Sequence, residues 1–129
     1  MAITLPTDLT RIRPLEGAIV RRVLVGTGGL TEGCLVVNGA DGAVKADGAG
    51  ATYKRVLGIA VKAASAGDVC PVVVLGAVGG YTACTVGAPI YPGTGGSVGA
   101  PTETASTNKI AVGAAESATV VFVNAIYIP

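Results

Sequence analysis

The chain lacks the residues on which most enzyme and metal sites are built. Its 129 positions contain no histidine and no tryptophan, and aromatic residues make up only 4% of them. Histidine is the commonest general acid or base and the commonest metal ligand, and without it a cysteine nucleophile has no usual partner. The eight carboxylates fall mostly in predicted turns, where Asp is favoured for backbone reasons alone. We therefore expect no enzyme, no cofactor and no metal site.

Charge is also scarce. Only 13% of the residues are charged and the net charge is +1, so no global field attracts nucleic acid or an anionic membrane. Four of the nine basic residues nevertheless lie within twelve positions: Arg11, Arg13, Arg21 and Arg22. No aromatic residue is interleaved with them for base stacking, which disfavours a nucleic-acid site. The remaining interpretations are a charged protein partner and plain solvation.

Long apolar runs and cysteine pairs are missing as well. The uncharged stretch 69–102 is interrupted by prolines and glycines, and no run of about 20 apolar residues suits a membrane helix. The first residues lack the pattern of a signal peptide, so we expect synthesis in a cytoplasm. Cys34, Cys70 and Cys84 form no CxxC motif. They are predicted to be buried thiols in a reducing compartment, with a Cys70–Cys84 disulfide as the alternative.

What the sequence does contain is Val, Ala and 20 glycines, which favour one all-β domain of many short strands. The stretch TEGCLVVNGADGAVKA, residues 31–46, predicts a β-hairpin that turns at Asn38–Gly42. Strands are also predicted at 18–25, at 53–64 and at 69–75, the last being the most apolar. A final hairpin is predicted from 109–115 and 118–123. We expect a compact β-barrel or β-tulip over residues 18–129.

The hairpin sequence recurs at a fixed spacing. At an offset of 54 residues, Thr31 matches Thr85 and Gly33 matches Gly87, and four more identities follow through Ala46 and Ala100. The strand VLGIA at 56–60 then matches AVGAA at 111–115 if the second copy holds one extra residue. Such self-similarity predicts two related β-units, about 31–75 and 85–123.

The two ends of the chain have a different character. Residues 1–17 combine five large aliphatic side chains with charges and two prolines, which predicts an extended N-terminal arm rather than a frayed tail. Such arms can add a strand or a clamp to a partner. Residues 126–129 are apolar and are expected to dock onto another surface.

The order of these pieces resembles the phage capsid decoration, or cement, proteins. The resemblance covers Gly17–Asn124 and is carried by TEGCLVVNGADGAVKA, VLGIAVKAASAGDVCPVVVLGAV, TVGAPIYPGTGGSVGAPT and IAVGAAESATVVFV. It implies a small β-barrel or β-tulip that sits, commonly as a homotrimer, on the outside of an expanded head. There it would clamp neighbouring major capsid proteins.

The resemblance also suggests which residues make contacts. The candidates for capsid contact lie in the arm and the first strand: Ile3, Leu5, Leu9, Arg11, Arg13, Arg21 and Arg22. The candidates for the trimer interface are Ile126, Tyr127 and Ile128. Two alternatives remain open, namely another virion module, such as a head-fibre base or a receptor-binding component, and a small enzyme or ligand-binding barrel.

Overall fold

The computed structural model describes residues 11–48, 55–94, 98–104 and 111–125. Over these ranges the chain forms ten β-strands and no helix. In chain order the strands are β1 (Arg13–Pro14), β2 (Ile19–Leu24), β3 (Leu35–Asn38), β4 (Ala43–Lys45), β5 (Val56–Ala60), β6 (Val69–Gly79), β7 (Pro89–Pro92), β8 (Pro101–Thr102), β9 (Gly113–Ala115) and β10 (Val120–Asn124).

The strands form one curled antiparallel sheet. Its order is β4-β3-β5-β6-β10-β9-β7-β8, and β1 and β2 also pair with β6. The curl gives a half-barrel, so the predicted all-β, barrel-like fold is confirmed. The predicted first hairpin is present as β3 and β4, with Asn38 opposite Ala43. The predicted last hairpin is present as β9 and β10.

The sheet order divides into two equivalent halves. We call β3–β6 the first unit and β7–β10 the second unit. The last strands of the two units, β6 and β10, are neighbours at the centre of the sheet. Outward from there, the order β5, β3, β4 in the first unit corresponds to β9, β7, β8 in the second. In the turns that open the units, Gly33 and Gly87 have the same φ of 83°. The amide of Gly33 donates to Ala60 and that of Gly87 to Ala115, both at 2.8 Å. The matched positions in these opening turns therefore occupy equivalent places, whereas Val44 lies in β4 and its match Val98 lies before β8.

Each unit has a glycine at its tightest point. Gly58 in β5 and Gly113 in β9 are the residues that match in the two copies. A Cβ on Gly58 would clash with the carbonyl oxygen of Val73, and one on Gly113 would clash with that of Phe122. Each glycine thus lets its strand approach the next one more closely than any side chain allows.

The long strand β6 joins the two units. Val72 and Val73 oppose β5, whereas the part from Leu75 to Gly79 opposes β10. The sequence predicted a turn after Leu75, but the strand continues for four more residues. It can do so because Gly76, with φ of 128°, lies against the backbone of Ala18 where a side chain would not fit. One strand therefore serves both halves of the sheet.

Residues 11–24 run antiparallel along β6. β1 pairs with its last residues and β2 with its first ones. Of the predicted arm, only residues 11–17 are described, and they lie against the sheet. Ile12 is 4% exposed and belongs to the main core, where it packs on Gly33 beside Tyr81.

The interior has two apolar clusters on opposite faces of the sheet. The main cluster contains residues of both units, among them Leu35, Ile59 and Ile90. The smaller cluster lies on the other face of the first unit and includes Val36 and Leu57. Because β3 and β5 are covered on both faces, their sequences are apolar runs rather than alternating patterns.

Candidate functional site

The most exposed apolar surface of the described chain lies along β2. Among the described residues, five large hydrophobic side chains are exposed. Four of these five lie on β2 or directly opposite it: Ile19, Val20, Leu24 and Val69. Leu24 and Val69 are cross-strand partners, so together they form a continuous patch. Each is at least half exposed, which is unusual for a strand residue in a small β-protein.

One side of the β2 backbone also faces away from β6, the strand with which β2 pairs. The amide of Val25 donates a 2.8 Å hydrogen bond to the segment that precedes β6, and the register stays constant from Val20 to Leu24. Because hydrogen-bonding positions alternate along an antiparallel strand, Arg21 and Val23 face β6. The amides and carbonyls of Val20 and Arg22 face away from it.

No described strand pairs with that outward side. β2 is bonded to β6 alone, and the next contact is a bridge between Val25 and Ala43 beyond its end. The outward backbone groups of Val20 and Arg22 therefore have no strand partner among the described residues, as in an edge strand. We call residues 19–24, together with Val69, the β2 edge.

The β2 edge carries positive charge. Arg21 and Arg22 are both exposed, and neither forms an ion pair with any described residue. As neighbours in a strand they project from opposite faces. Arg13 on β1 is exposed as well. Arg11 differs, since its Nε lies 3.4 Å from Oε2 of Glu32, and that same oxygen accepts a 2.8 Å hydrogen bond from the amide of Ile12.

The predicted contact residues thus fall into two groups. Arg11, Arg13, Arg21 and Arg22 lie on the described strands, or just before them, along one edge of β6. The others lie outside the described residues: Ile3, Leu5, Leu9, Ile126, Tyr127 and Ile128. The exposed aliphatic residues of the β2 edge were not predicted. The signal for them is the segment IVRRVL itself, where two charges in the centre break the alternation of a half-buried strand.

The three cysteines are buried and free, so the prediction of unpaired thiols is confirmed and the alternative disulfide is wrong. Burial raises the pKa of the Cys34, Cys70 and Cys84 thiols above their ordinary value. A thiol held in its neutral form is a poor nucleophile and a poor metal ligand. These side chains pack as small hydrophobic groups within the sheet.

Tyr81 is the largest fully buried side chain of the described chain. Its hydroxyl donates a 2.7 Å hydrogen bond to the carbonyl of Gly33, so the end of β6 is tied to the turn that opens the first unit. Burial raises the pKa of the Tyr81 phenol well above its usual value. The phenol therefore stays protonated and serves as a structural donor.

In the described ranges, the carboxylates mainly accept hydrogen bonds from residues in turns. Asp41 accepts hydrogen bonds from the amide and hydroxyl of Thr27, and these bonds lower the pKa of its carboxyl. Glu103 accepts a 2.6 Å bond from the amide of Thr85 and a 3.0 Å bond from its hydroxyl. Among the residues described, no three potential ligands of the His, Cys, Asp or Glu type come together to hold a metal ion. The same residues include no helix of the length and apolarity that crossing a membrane requires.

Over the described residues, the fold and the site define an all-β protein with a curled sheet and a basic, apolar strand edge along β2. Comparison with known proteins adds no relative: no family model, curated protein or solved structure matches the chain.

Proposed function

We propose that this chain is a structural virion protein that binds the outer surface of a phage capsid. In this role it stabilises the expanded head by bridging neighbouring major capsid proteins, and it acts as a homotrimer. The observation that carries the proposal is the β2 edge. There exposed aliphatic side chains occur together with two arginines and outward backbone groups that have no partner among the described residues. These features suit a surface that is covered by a protein partner.

The rest of the molecule suits the same role. A stabilising protein needs a rigid body, and here one sheet is built around a core common to two units. Where they are described, the segments that carry the resemblance to cement proteins form strands and turns of that sheet. Binding many copies to a repeating lattice makes weak individual contacts strong, so a small edge is sufficient for attachment.

Co-sedimentation with expanded, undecorated heads tests the proposal, with the number of copies bound per head as the readout. The heads come from the phage that encodes this chain and are assembled without it. Saturable binding at a stoichiometry that matches the threefold positions is the expected result. The free protein is expected to sediment as a trimer. Absence of binding to such heads would contradict the proposal.

A further inference from the structure

The outward side of β2 carries backbone hydrogen-bonding groups as well as side chains. These groups restrict how the backbone of a binding partner can be oriented along this strand. A partner that only covered the aliphatic patch would leave the backbone groups of Val20 and Arg22 without hydrogen bonds. Buried backbone groups without partners are costly, so an interface over this edge has to supply donors and acceptors in register. An extended peptide segment does so by adding a strand to the sheet.

We propose that the β2 edge is completed by an extended segment of a different protein, which pairs with residues 19–23 and carries acidic residues next to apolar ones. The acidic residues would lie opposite Arg21 and Arg22, which have no ion-pair partner among the described residues. The apolar residues would cover Val20, Leu24 and Val69. If the proposed function is correct, on which this inference rests, the segment belongs to the major capsid protein.

The charges argue against a second copy of this chain as the occupant. Because Val20 and Arg22 face outward, antiparallel pairing of two β2 strands can place either Arg21 opposite Arg21 or Arg22 opposite Arg22 of the second copy in its most complete registers. Like charges directly opposite each other destabilise a pair of strands. A partner with carboxylates at the same places gains cross-strand attraction instead.

Proline scanning of the edge separates strand addition from side-chain docking. The amide of Arg22 faces outward, so Arg22→Pro removes one donor of the edge without breaking a hydrogen bond to β6, and proline is tolerated in that orientation. Arg22→Ala removes the same side chain and keeps the amide. In co-sedimentation with undecorated heads, we expect Arg22→Pro to bind at least about tenfold more weakly than Arg22→Ala. Equal affinities of the two variants would overturn strand addition.

Charge reversal tests the acidic character of the segment. Arg21→Glu is expected to weaken head binding by about tenfold or more at low salt, because it places like charges in contact. Lys62→Glu makes the same change in charge on an exposed residue after β5, across β6 from β2, and should bind like the native chain. Equal binding of Arg21→Glu and the native chain would overturn the acidic assignment.

Amide hydrogen exchange gives a readout that does not depend on any variant folding. In the free protein the amides of Val20 and Arg22 should exchange fast, while those of Arg21 and Val23 are protected by β6. On heads, all four should be protected. Protection of Val20 and Arg22 already in the free protein would mean that this edge is covered without a different protein and would overturn the proposal. Failure of the native chain to bind heads at all would instead refute the proposed function and the capsid partner with it.

Discussion

Gly58 and Gly113 are two of the residues at which the fold tolerates no side chain. Gly113 has an ordinary backbone conformation, so its requirement is purely steric: a Cβ would clash with the carbonyl of Phe122 in β10. We expect Gly113→Ala to lower the free energy of unfolding by at least about 3 kcal/mol or to prevent folding, as overpacking against backbone does. Urea denaturation measures the effect.

A second glycine provides the matched control. Gly87 has φ of 83° but nothing within 4 Å of its Cβ position. Gly87→Ala therefore carries only the conformational cost of a left-handed residue, about 1–2 kcal/mol. If Gly113→Ala were no more destabilising than Gly87→Ala, the close approach of β9 and β10 would be refuted.

Tyr81 makes its contribution through one buried hydrogen bond. Tyr81→Phe keeps the ring in the core but leaves the carbonyl of Gly33 without its 2.7 Å donor. We expect a loss of about 1–3 kcal/mol in the free energy of unfolding. Tyr91→Phe, at a half-buried ring, is the control and should change stability by less than about 0.5 kcal/mol. If both variants lost a similar free energy of unfolding, the hydrogen bond from Tyr81 to Gly33 would make no specific contribution to stability.

The same residue has a signature in alkaline solution. Burial raises the pKa of Tyr81 in the folded state well above its ordinary value of 10.0. The contribution of Tyr81 to the free energy of unfolding is therefore complete below pH 10 and falls as the pH rises further. It falls because the phenol loses its proton in the unfolded chain but keeps it in the folded one. Tyr81→Phe should lose less stability than the native chain between neutral pH and pH 11. Parallel pH profiles for the two proteins would show that Tyr81 is accessible to solvent.

At the scale of single elements, β1 shows how a segment with an arm-like sequence is fastened to the body. Ile12, next to β1, is buried between the turn at Gly33 and Tyr81. Ile12→Ala should cost about 2–4 kcal/mol by cavity formation, whereas Arg13→Ala, at an exposed side chain, should cost less than about 0.5 kcal/mol. Thermal unfolding distinguishes the two variants. An Ile12→Ala protein as stable as the native one would mean that residues 11–17 are not part of the core.

Local patterns were sufficient to predict the hairpins, because turn residues and Val-rich runs determine them within a few positions. They were not sufficient for β6 or for the exposure of β2. β6 continues past Gly76 since β1 and β10 pair with it, and those partners are remote in sequence. Leu24 and Val69 look like core residues by composition, but they lie where no described strand covers the sheet. The arginines were found because their clustering is visible without the fold.

At the scale of the whole molecule, the two units depend on one interior. The main cluster takes Leu35 and Val73 from the first unit, and Ile90 and Val121 from the second. Backbone hydrogen bonds also join the outer hairpins, where Gly99 accepts from Leu35 at 2.7 Å and donates to Ala46 at 2.8 Å. Neither unit can bury its apolar face without the other, as in repeat proteins whose units share a core.

A shared interior predicts a single cooperative unfolding transition. Ile90→Ala, in the second unit, should therefore lower the protection of amides in β3 and β5 as much as that of amides in β9 and β10. Its overall cost should be about 2–4 kcal/mol, because Ile90 is fully buried. Native-state hydrogen exchange measures both halves in one experiment. Loss of protection confined to β7–β10 would mean that the first unit folds independently. The sequence repeat would then mark two separate domains rather than two halves of one sheet.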